Sequence, residues 1–512
     1  MSADNENMKL DVKRTMFVGF AFMGIMCFWE VYDYIMPLIL SRFFGLSQAQ
    51  YGIVMGLDNL LAIFLLPFFG SLSDKKVSAK LGRRTHFILF GTLAAVVCLV
   101  GIAITELLQY RAVMGADIQN LDILVQYGLD EKYLVGDYRA IYDGVIATGV
   151  KPEGEALVMY NEMLNNVYSA QVACAGAVTK AKPLYFILFM CVLVCALLAM
   201  ASYRSPAVAL MPDVTPKPLR SQANALINIM GGAGGLVSIL LYTFLAKQRY
   251  QSHVALFIGL AGVMLCMLGL FLGLCKEKKF VEMRYEEEKR WEIVDEIEIQ
   301  ITDKLPKEKV VSLLLILGTV FLWFMGYNAV KSHLSTYATS VLNFKDSFVG
   351  VINIINGAGG AIAMLPVALM ASKIGRKKSI IIGLALSAVA FVPCFLMTAN
   401  TPGVGVLFPL CFILSGFGLV CVNVNTFPMV TELSKGSNVG KYTGYYYISS
   451  MTAQSLTPAF AGIFMDKISS NAVFVYAIIF VTLAIVSCIF IKHGDNKPVK
   501  KQKVVEYFAE EE

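Results

Sequence analysis

The chain has 512 residues, 57% of them hydrophobic and only 16% charged, with a mean hydropathy of +0.64. A soluble protein of this composition would expose far too much apolar surface, so lipid must cover much of it. The formal net charge of +6 is small and follows loop topology, which gives no reason to expect a nucleic-acid partner.

In chain order, residues 1–14 are polar, end in Lys13-Arg14, and read as a cytoplasmic tail. The apolar run behind them is too long for a removable signal peptide and lacks a small-residue cleavage site, so it stays as a first helix. Runs of about 20 apolar residues lie near 15–40, 49–72, 85–108, 183–210, 221–246, 253–275, 310–341, 347–371, 379–398, 404–428, 442–464 and 471–491. Backbone groups in hydrocarbon must bond within their own segment, so all twelve are predicted as helices. The expected fold is all-α: a polytopic membrane protein with two six-helix halves, 15–275 and 310–491.

Two segments interrupt this pattern. Residues 109–182 carry Ile118, Leu121, Leu124 and Val125, then Leu157, Met163, Leu164 and Val167, at roughly helical spacing, which predicts a small helical cap on the outer side. Residues 276–309 form a charged cytoplasmic linker with opposite charges such as Glu286 and Arg290 four apart. Residues 492–512 are a second cytoplasmic tail. About 30 of the Lys and Arg residues fall on the side shared by both termini and about 11 on the other, which places the termini in the cytoplasm. Of eleven cysteines, ten lie in predicted spans and only Cys174 in the insert, so no disulfide framework is available. The absence of any Asn-x-Ser/Thr acceptor favours a bacterial plasma membrane.

The loop Gly70-Ser-Leu-Ser-Asp74-Lys-Lys-Val-Ser-Ala-Lys-Leu-Gly82-Arg83-Arg84 has a shorter echo in Ala371-Ser-Lys-Ile-Gly375-Arg376-Lys377-Lys378. Each follows an apolar run with a proline, Pro67 and Pro366. Aligning the halves on Gly52 and Gly350 sets Glu30 opposite Asn328, Asp33 opposite Lys331 and Asp58 opposite Asn356, which indicates an internal repeat. This loop resembles the signature between helices 2 and 3 of the major facilitator superfamily. Its seven residues between Asp74 and Gly82, with Ser205-Pro206 through Asp213 and Arg220, and Asn425 through Tyr447, are similar to the branch of sucrose-proton and glycoside-pentoside-hexuronide symporters.

That resemblance implies a monomeric secondary transporter that imports a sugar or glycoside with protons by alternating access. Sucrose carriers have an arginine where this chain has Val208, although Arg204 lies one helical turn earlier. Melibiose-type sodium carriers have aspartates where this chain has Ala62 and Leu66, which favours protons over sodium. Another small solute (a nucleoside, lipid or drug), or a transport-dead sensor or scaffold, remain the alternatives.

Ionisable groups inside spans cost about 2.5–3.5 kcal/mol each at a helix centre. Glu30, Asp33 and Asp58 are candidates for proton coupling, because a carboxylate can alternate between charged and neutral forms. Trp29, Tyr32, Arg204, Trp323, Asn328, Lys331 and Gln454 are candidates for substrate binding: sugars offer apolar CH faces to aromatic planes and hydroxyls to polar groups. Ordinary aromatic packing or an interfacial belt is the competing reading of the aromatics. Asp33 and Lys331 are expected to approach each other across the cavity. Asp74, Arg83, Arg84, Asp213, Arg220, Glu432 and Lys441 are expected to lock the cytoplasmic side. The runs Gly231–Gly235 and Gly357–Gly360 are expected to smooth the contact between halves.

No motor or hydrolytic chemistry is expected. Gly436 through Tyr442 is one residue short of a P-loop and lacks the Ser or Thr after Lys441, and no His-Glu-x-x-His occurs. Four histidines give metal catalysis little to build on. The expectation is therefore no enzyme, no metal and no cofactor, with a proton as coupling ion and the bilayer and a small solute as partners.

Overall fold

The computed structural model describes residues 10–75, 82–216, 219–246, 250–291, 306–433 and 439–494. The chain forms α1 (Val12–Arg42), α2 (Gln48–Lys75), α3 (Arg83–Met114), α4 (Leu121–Leu124), α5 (Gly136–Thr148), α6 (Glu155–Ala181), α7 (Pro183–Val214), α8 (Arg220–Leu245), α9 (Val254–Leu274) and α10 (Glu277–Arg290). The second half follows as α11 (Lys307–Ser340), α12 (Asp346–Ile374), α13 (Arg376–Leu396), α14 (Val404–Leu433), α15 (Val439–Lys467) and α16 (Ala472–Ile489). Outside the insert (α4–α6) and α10, the remaining twelve are long helices arranged as two six-helix bundles. No strand occurs among the described residues.

Eleven of the long helices are apolar enough to cross a membrane by composition. The twelfth, α15, falls short because it carries Ser449, Ser450, Thr452, Gln454, Ser455 and Thr457. Four of those groups face protein: Ser449 donates to the Leu317 carbonyl of α11 at 2.8 Å, Ser455 donates to the Gly56 carbonyl of α2 at 3.1 Å, and Ser450 and Thr457 are buried. Elsewhere the bundles turn Phe64, Val97, Ile229, Phe244 and Ile362 outward, a surface suited to lipid.

Within the first half α1 packs on α8 and α3 on α7; within the second, α13 packs on α14 and α11 on α16. The halves meet through α2 against α15 and α8 against α12. The glycine runs serve these contacts differently from the expectation. A Cβ on Gly234 would sit 2.3 Å from the Met23 carbonyl oxygen and one on Gly231 3.0 Å from Met26 Cγ, so this run seats α8 on α1 inside one half. Gly357 has nothing within 4 Å, and Gly360 faces Val420 of its own half. The close approach between halves instead uses Gly52, Gly56 and Gly462, whose Cβ atoms would lie 2.2 Å, 2.2 Å and 2.3 Å from the carbonyl oxygens of Pro458, Ser455 and Gln48. Only a residue without a side chain permits such backbone contact.

Residues 115–182 fold as a helical cap with its own apolar cluster, in which Ile118, Leu121, Leu124, Met163 and Val167 are buried. The ends of the helices beneath it define the insert face; the opposite, linker face carries the start of α1 and α10. On the linker face the repeat is visible in the backbone. Gly82 (φ +107°) precedes α3 and Gly375 (φ +95°) precedes α13, both in the region that favours glycine. Glu277 of α10 accepts the N–H groups of Arg84 (3.0 Å) and Thr85 (2.7 Å), capping α3 with a carboxylate where the helix dipole favours one. Arg14 adds a two-bonded pair with Glu287 at 3.1 and 2.8 Å, so α10 rides on the first half. In the linker, Arg284 lies 3.7 Å from Glu288; the rest of the segment, 292–305, is outside the described residues.

Candidate functional site

A cavity of ≈ 210 Å³ lies between the halves, lined by Trp29, Glu30, Asp33, Asp58, Arg204, Asn328, Lys331 and Gln454, together with Met26, Met55, Asn59, Ser332 and Pro458. Helical geometry explains the selection. On α1, residues 29, 30 and 33 share one face, because neighbours and fourth neighbours are each about 100° or less apart around a helix of 3.6 residues per turn. On α11, Asn328, Lys331 and Ser332 follow the same rule.

Lys331 Nζ meets Asp33 Oδ2 at 3.0 Å across the boundary between halves, and both side chains stay partly open to the cavity. Asp58 takes a hydrogen bond from Asn59 Nδ2 at 2.9 Å rather than from Arg204, whose guanidinium lies over the Trp29 ring, 5.7 Å from its centroid. The Glu30 side chain passes over Gly235, where a Cβ would stand 3.3 Å from its Cγ. Trp29 Nε1 and Asn328 Nδ2 are buried and have no acceptor among the described residues, which leaves two N–H donors at the cavity wall.

Two expected residues lie elsewhere. Tyr32 is 2% exposed, packs with Phe28 (stacked, 6.1 Å) and edge-on to Trp29 (5.5 Å), and is not part of the cavity lining described. Trp323 is fully buried and stacked on Tyr327 at 5.3 Å. It lies five residues before Asn328, about 140° round the helix, so it joins the core of the second half instead of the lining. Asn356, the repeat counterpart of Asp58, bonds the Tyr327 hydroxyl at 3.4 Å and is likewise outside the cavity wall.

Of the residues expected to lock the linker face, Arg83, Arg84, Asp213 and Arg220 have described bonds within the first half. Asp213 Oδ2 accepts from Arg83 Nη2 and Arg84 Nε, each at 2.9 Å, Arg84 also reaches Ser73, and Arg220 donates to the carbonyls of Thr215 (3.3 Å) and Pro212 (3.1 Å). The side chains of Asp74, Glu432 and Lys441 lie outside the described residues.

Beyond Lys331–Asp33, the described bonds that join the halves cluster toward the insert face, on residues that nothing in the sequence marks. Arg42, at the end of α1, forms a doubly bonded pair with Asp346 at the start of α12, at 2.6 and 2.9 Å, with both side chains buried. The Tyr34 hydroxyl donates to the Asp346 carbonyl. Asp466 accepts the N–H groups of Gln48 (3.0 Å) and Ala49 (2.9 Å), the first turn of α2. The Tyr51 hydroxyl lies 2.6 Å from His333 Nδ1 and 2.7 Å from Thr336 Oγ1, while His333 Nε2 lies 2.9 Å from the Pro458 carbonyl oxygen. A further acid inside a span, Glu106, is buried and structural: it accepts the His253 N–H at 3.1 Å and the Ser252 hydroxyl at 3.0 Å, tying α3 to the start of α9.

Two helical bundles meeting around a charged, membrane-embedded cavity define a polytopic membrane transporter. The chain belongs to the Major Facilitator Superfamily, whose family model matches residues 168–354 and 340–507. No curated protein matches it by sequence. Among solved structures it is similar to a bacterial homologue of the iron transporter ferroportin in the inward-facing state, at 13% identity and TM-score 0.60, covering 94% of this chain and 99% of that one. It is equally similar to the inward-open xylose transporter XylE from E. coli, at 14% identity and TM-score 0.60, covering 97% and 98%. The nucleoside transporter NupG matches at 12% identity and TM-score 0.54, covering 93% and 99%. At these identities the likeness is one of fold.

Proposed function

We propose that the chain imports a neutral sugar or glycoside together with protons, by alternating access, as a monomer in a bacterial plasma membrane with both termini cytoplasmic. One observation carries the coupling: the cavity gathers three carboxylates, Glu30, Asp33 and Asp58, against two cations, Arg204 and Lys331. An unmatched charge in a cavity that must shed water is costly, and a proton on one carboxylate removes it. Asp58 is the best carrier, since Lys331 already pairs with Asp33 and Arg204 is stacked on Trp29. The free Trp29 and Asn328 N–H donors suit hydroxyl oxygens, and the Trp29 ring suits a sugar's CH face. Arg204 and Lys331 disfavour a metal cation as cargo. The similar fold of a D-xylose-proton symporter supports the same reading.

One proton moving down about 100 mV supplies about 2.3 kcal/mol, or roughly fifty-fold accumulation of a neutral solute at about 1.36 kcal/mol per decade. The test is uptake of radiolabelled D-xylose, sucrose and melibiose into proteoliposomes under an imposed pH gradient. Asp58→Asn is expected to abolish accumulation while leaving sugar exchange measurable. Uptake of none of these sugars, or accumulation by the variant equal to wild type, would overturn the reading.

A further inference from the structure

A second cavity, of ≈ 510 Å³, lies at the insert face, on the far side of the Tyr51–His333 contact from the linker face. Three parts of the chain build its wall: the first half through Gln48 and Tyr51, the second through Thr336 and Asp466, and the insert through Asn165 and Tyr168 of α6. Its chemistry differs from that of the central cavity. The lining described contains no Lys, Arg or His and one carboxylate, Asp466, both of whose oxygens already accept backbone N–H groups of α2. The remaining polar groups are hydroxyls and amides, interleaved with the rings of Tyr51, Tyr168 and Tyr337.

Two of those amides are unfinished. Asn165 Oδ1 and Gln48 Oε1 are buried acceptors with no donor among the described residues, although Gln48 Nε2 holds Ser470 at 3.1 Å. Acceptors without a donor, on side chains that line the cavity, are completed by O–H or N–H groups of a solute once those side chains turn toward it. A space of this size that offers aromatic faces, hydroxyls and open amide acceptors, and no net cation, suits an uncharged solute rich in hydroxyl groups. An anion would find no counter-charge here.

We propose that this cavity is a capture site for a neutral polyhydroxylated solute on the insert face, distinct from the central cavity, and that α6 of the insert completes its wall. The proposal rests on the transporter reading above and adds to it a second binding step and a role for residues 115–182. Tyr51 and Thr336 belong both to this wall and to the bonded contact between halves, so solute held here touches the groups that must part when the insert face opens.

The experiment is equilibrium dialysis of [14C]sucrose and [14C]D-xylose against the purified full chain, comparing wild type with Asn165→Leu, Ser169→Leu and Asn328→Leu. Asn165 and Ser169 lie on α6, away from the central cavity, and Asn328 lies in it. Thermal unfolding without sugar checks that each variant is folded, and the two α6 variants stand in for one another if one is not. Two equivalents per wild-type chain are expected, falling to one in either α6 variant and to one in Asn328→Leu. One equivalent in wild type that survives both α6 changes and disappears in Asn328→Leu overturns the capture site and leaves the transporter reading intact. One equivalent lost in the α6 variants and kept in Asn328→Leu supports the capture site and overturns the central assignment. Binding of neither sugar overturns both.

Discussion

Replacing Asp346 with Asn should release the insert face. The Arg42 guanidinium is fully buried and its partner carboxylate is 4% exposed, with two short bonds between them. Removing one member of a buried pair leaves an uncompensated charge and costs about 3–5 kcal/mol. The two residues belong to different halves, so separating the halves at this face returns Arg42 to water, and the cost falls on the closed arrangement alone. At about 1.36 kcal/mol per decade, the ratio of closed to open should fall roughly 10²- to 10⁴-fold. The lower figure is expected, because Asn keeps one acceptor oxygen for Arg42.

Spin labels at Gln119 in the insert and Ser469 in the α15–α16 turn, both exposed, report that separation once the exposed cysteines are replaced. The distance distribution should broaden to longer values in Asp346→Asn. The pair Arg42→Met with Asp346→Leu should restore the short distance, since an apolar replacement of a buried pair is often neutral or stabilising. Unchanged distances in Asp346→Asn would refute the idea that this pair holds the halves together.

Gly56→Leu should widen the same distance, because the Ser455 carbonyl oxygen stands 2.2 Å from the new Cβ and belongs to backbone; Gly231→Ala, which meets only the flexible Met26 side chain, should not. In a double-mutant cycle on substrate binding, Asp33→Asn and Lys331→Met should show coupling of only about 0.2–1 kcal/mol, because both side chains are more than a third exposed; strict additivity would argue that the 3.0 Å contact is not formed. In the insert, Glu162 accepts from Lys132 Nζ at 2.9 Å, the Tyr138 hydroxyl at 2.8 Å and the Tyr133 hydroxyl at 2.9 Å, which together hold its carboxyl down at about 2. The folded form therefore binds fewer protons than the unfolded one, and the stabilisation should be present above about pH 4.5 and fade as pH falls toward about 2. Hydrogen exchange of the α5 and α6 amides should show this fading in wild type, and Glu162→Gln should remove it.

The helices were legible because lipid leaves a chain few choices: an apolar run of spanning length has to be helical. The linker-face loops were legible because two glycines, Gly82 and Gly375, recur at positions where the backbone needs positive φ. Cavity residues stood out for the opposite reason, since Glu30, Asp33, Asp58, Arg204 and Lys331 are costly at membrane depth and the structure brings all five to one space. Tyr32 and Trp323 did not, because an aromatic residue is at home on any face of a buried helix and composition does not report rotation about its axis. Arg42, Asp346 and Asp466 were invisible for a related reason: charges at helix ends are cheap and common, so nothing in the sequence marks partners about 300 to 420 residues apart as a set.

The kind of contact that joins the halves bears on how they can part. At the insert face it consists of an ion pair, two carboxylate-capped N–H groups and a Tyr–His–Thr cluster, laid over glycines in backbone contact. Each polar group in that set regains water when the halves separate, so the net cost of breaking each bond is modest, about 0.5–1.5 kcal/mol for a neutral one. An interface sealed with large apolar side chains would instead lose burial at about 25 cal/mol per Å², with nothing in water to offset it. The polar contact is therefore suited to reversible opening, and the glycines let it close without side chains having to interlock. A lone charge left behind at that face would undo this balance, which is why the Arg42–Asp346 pair is the place to disturb it.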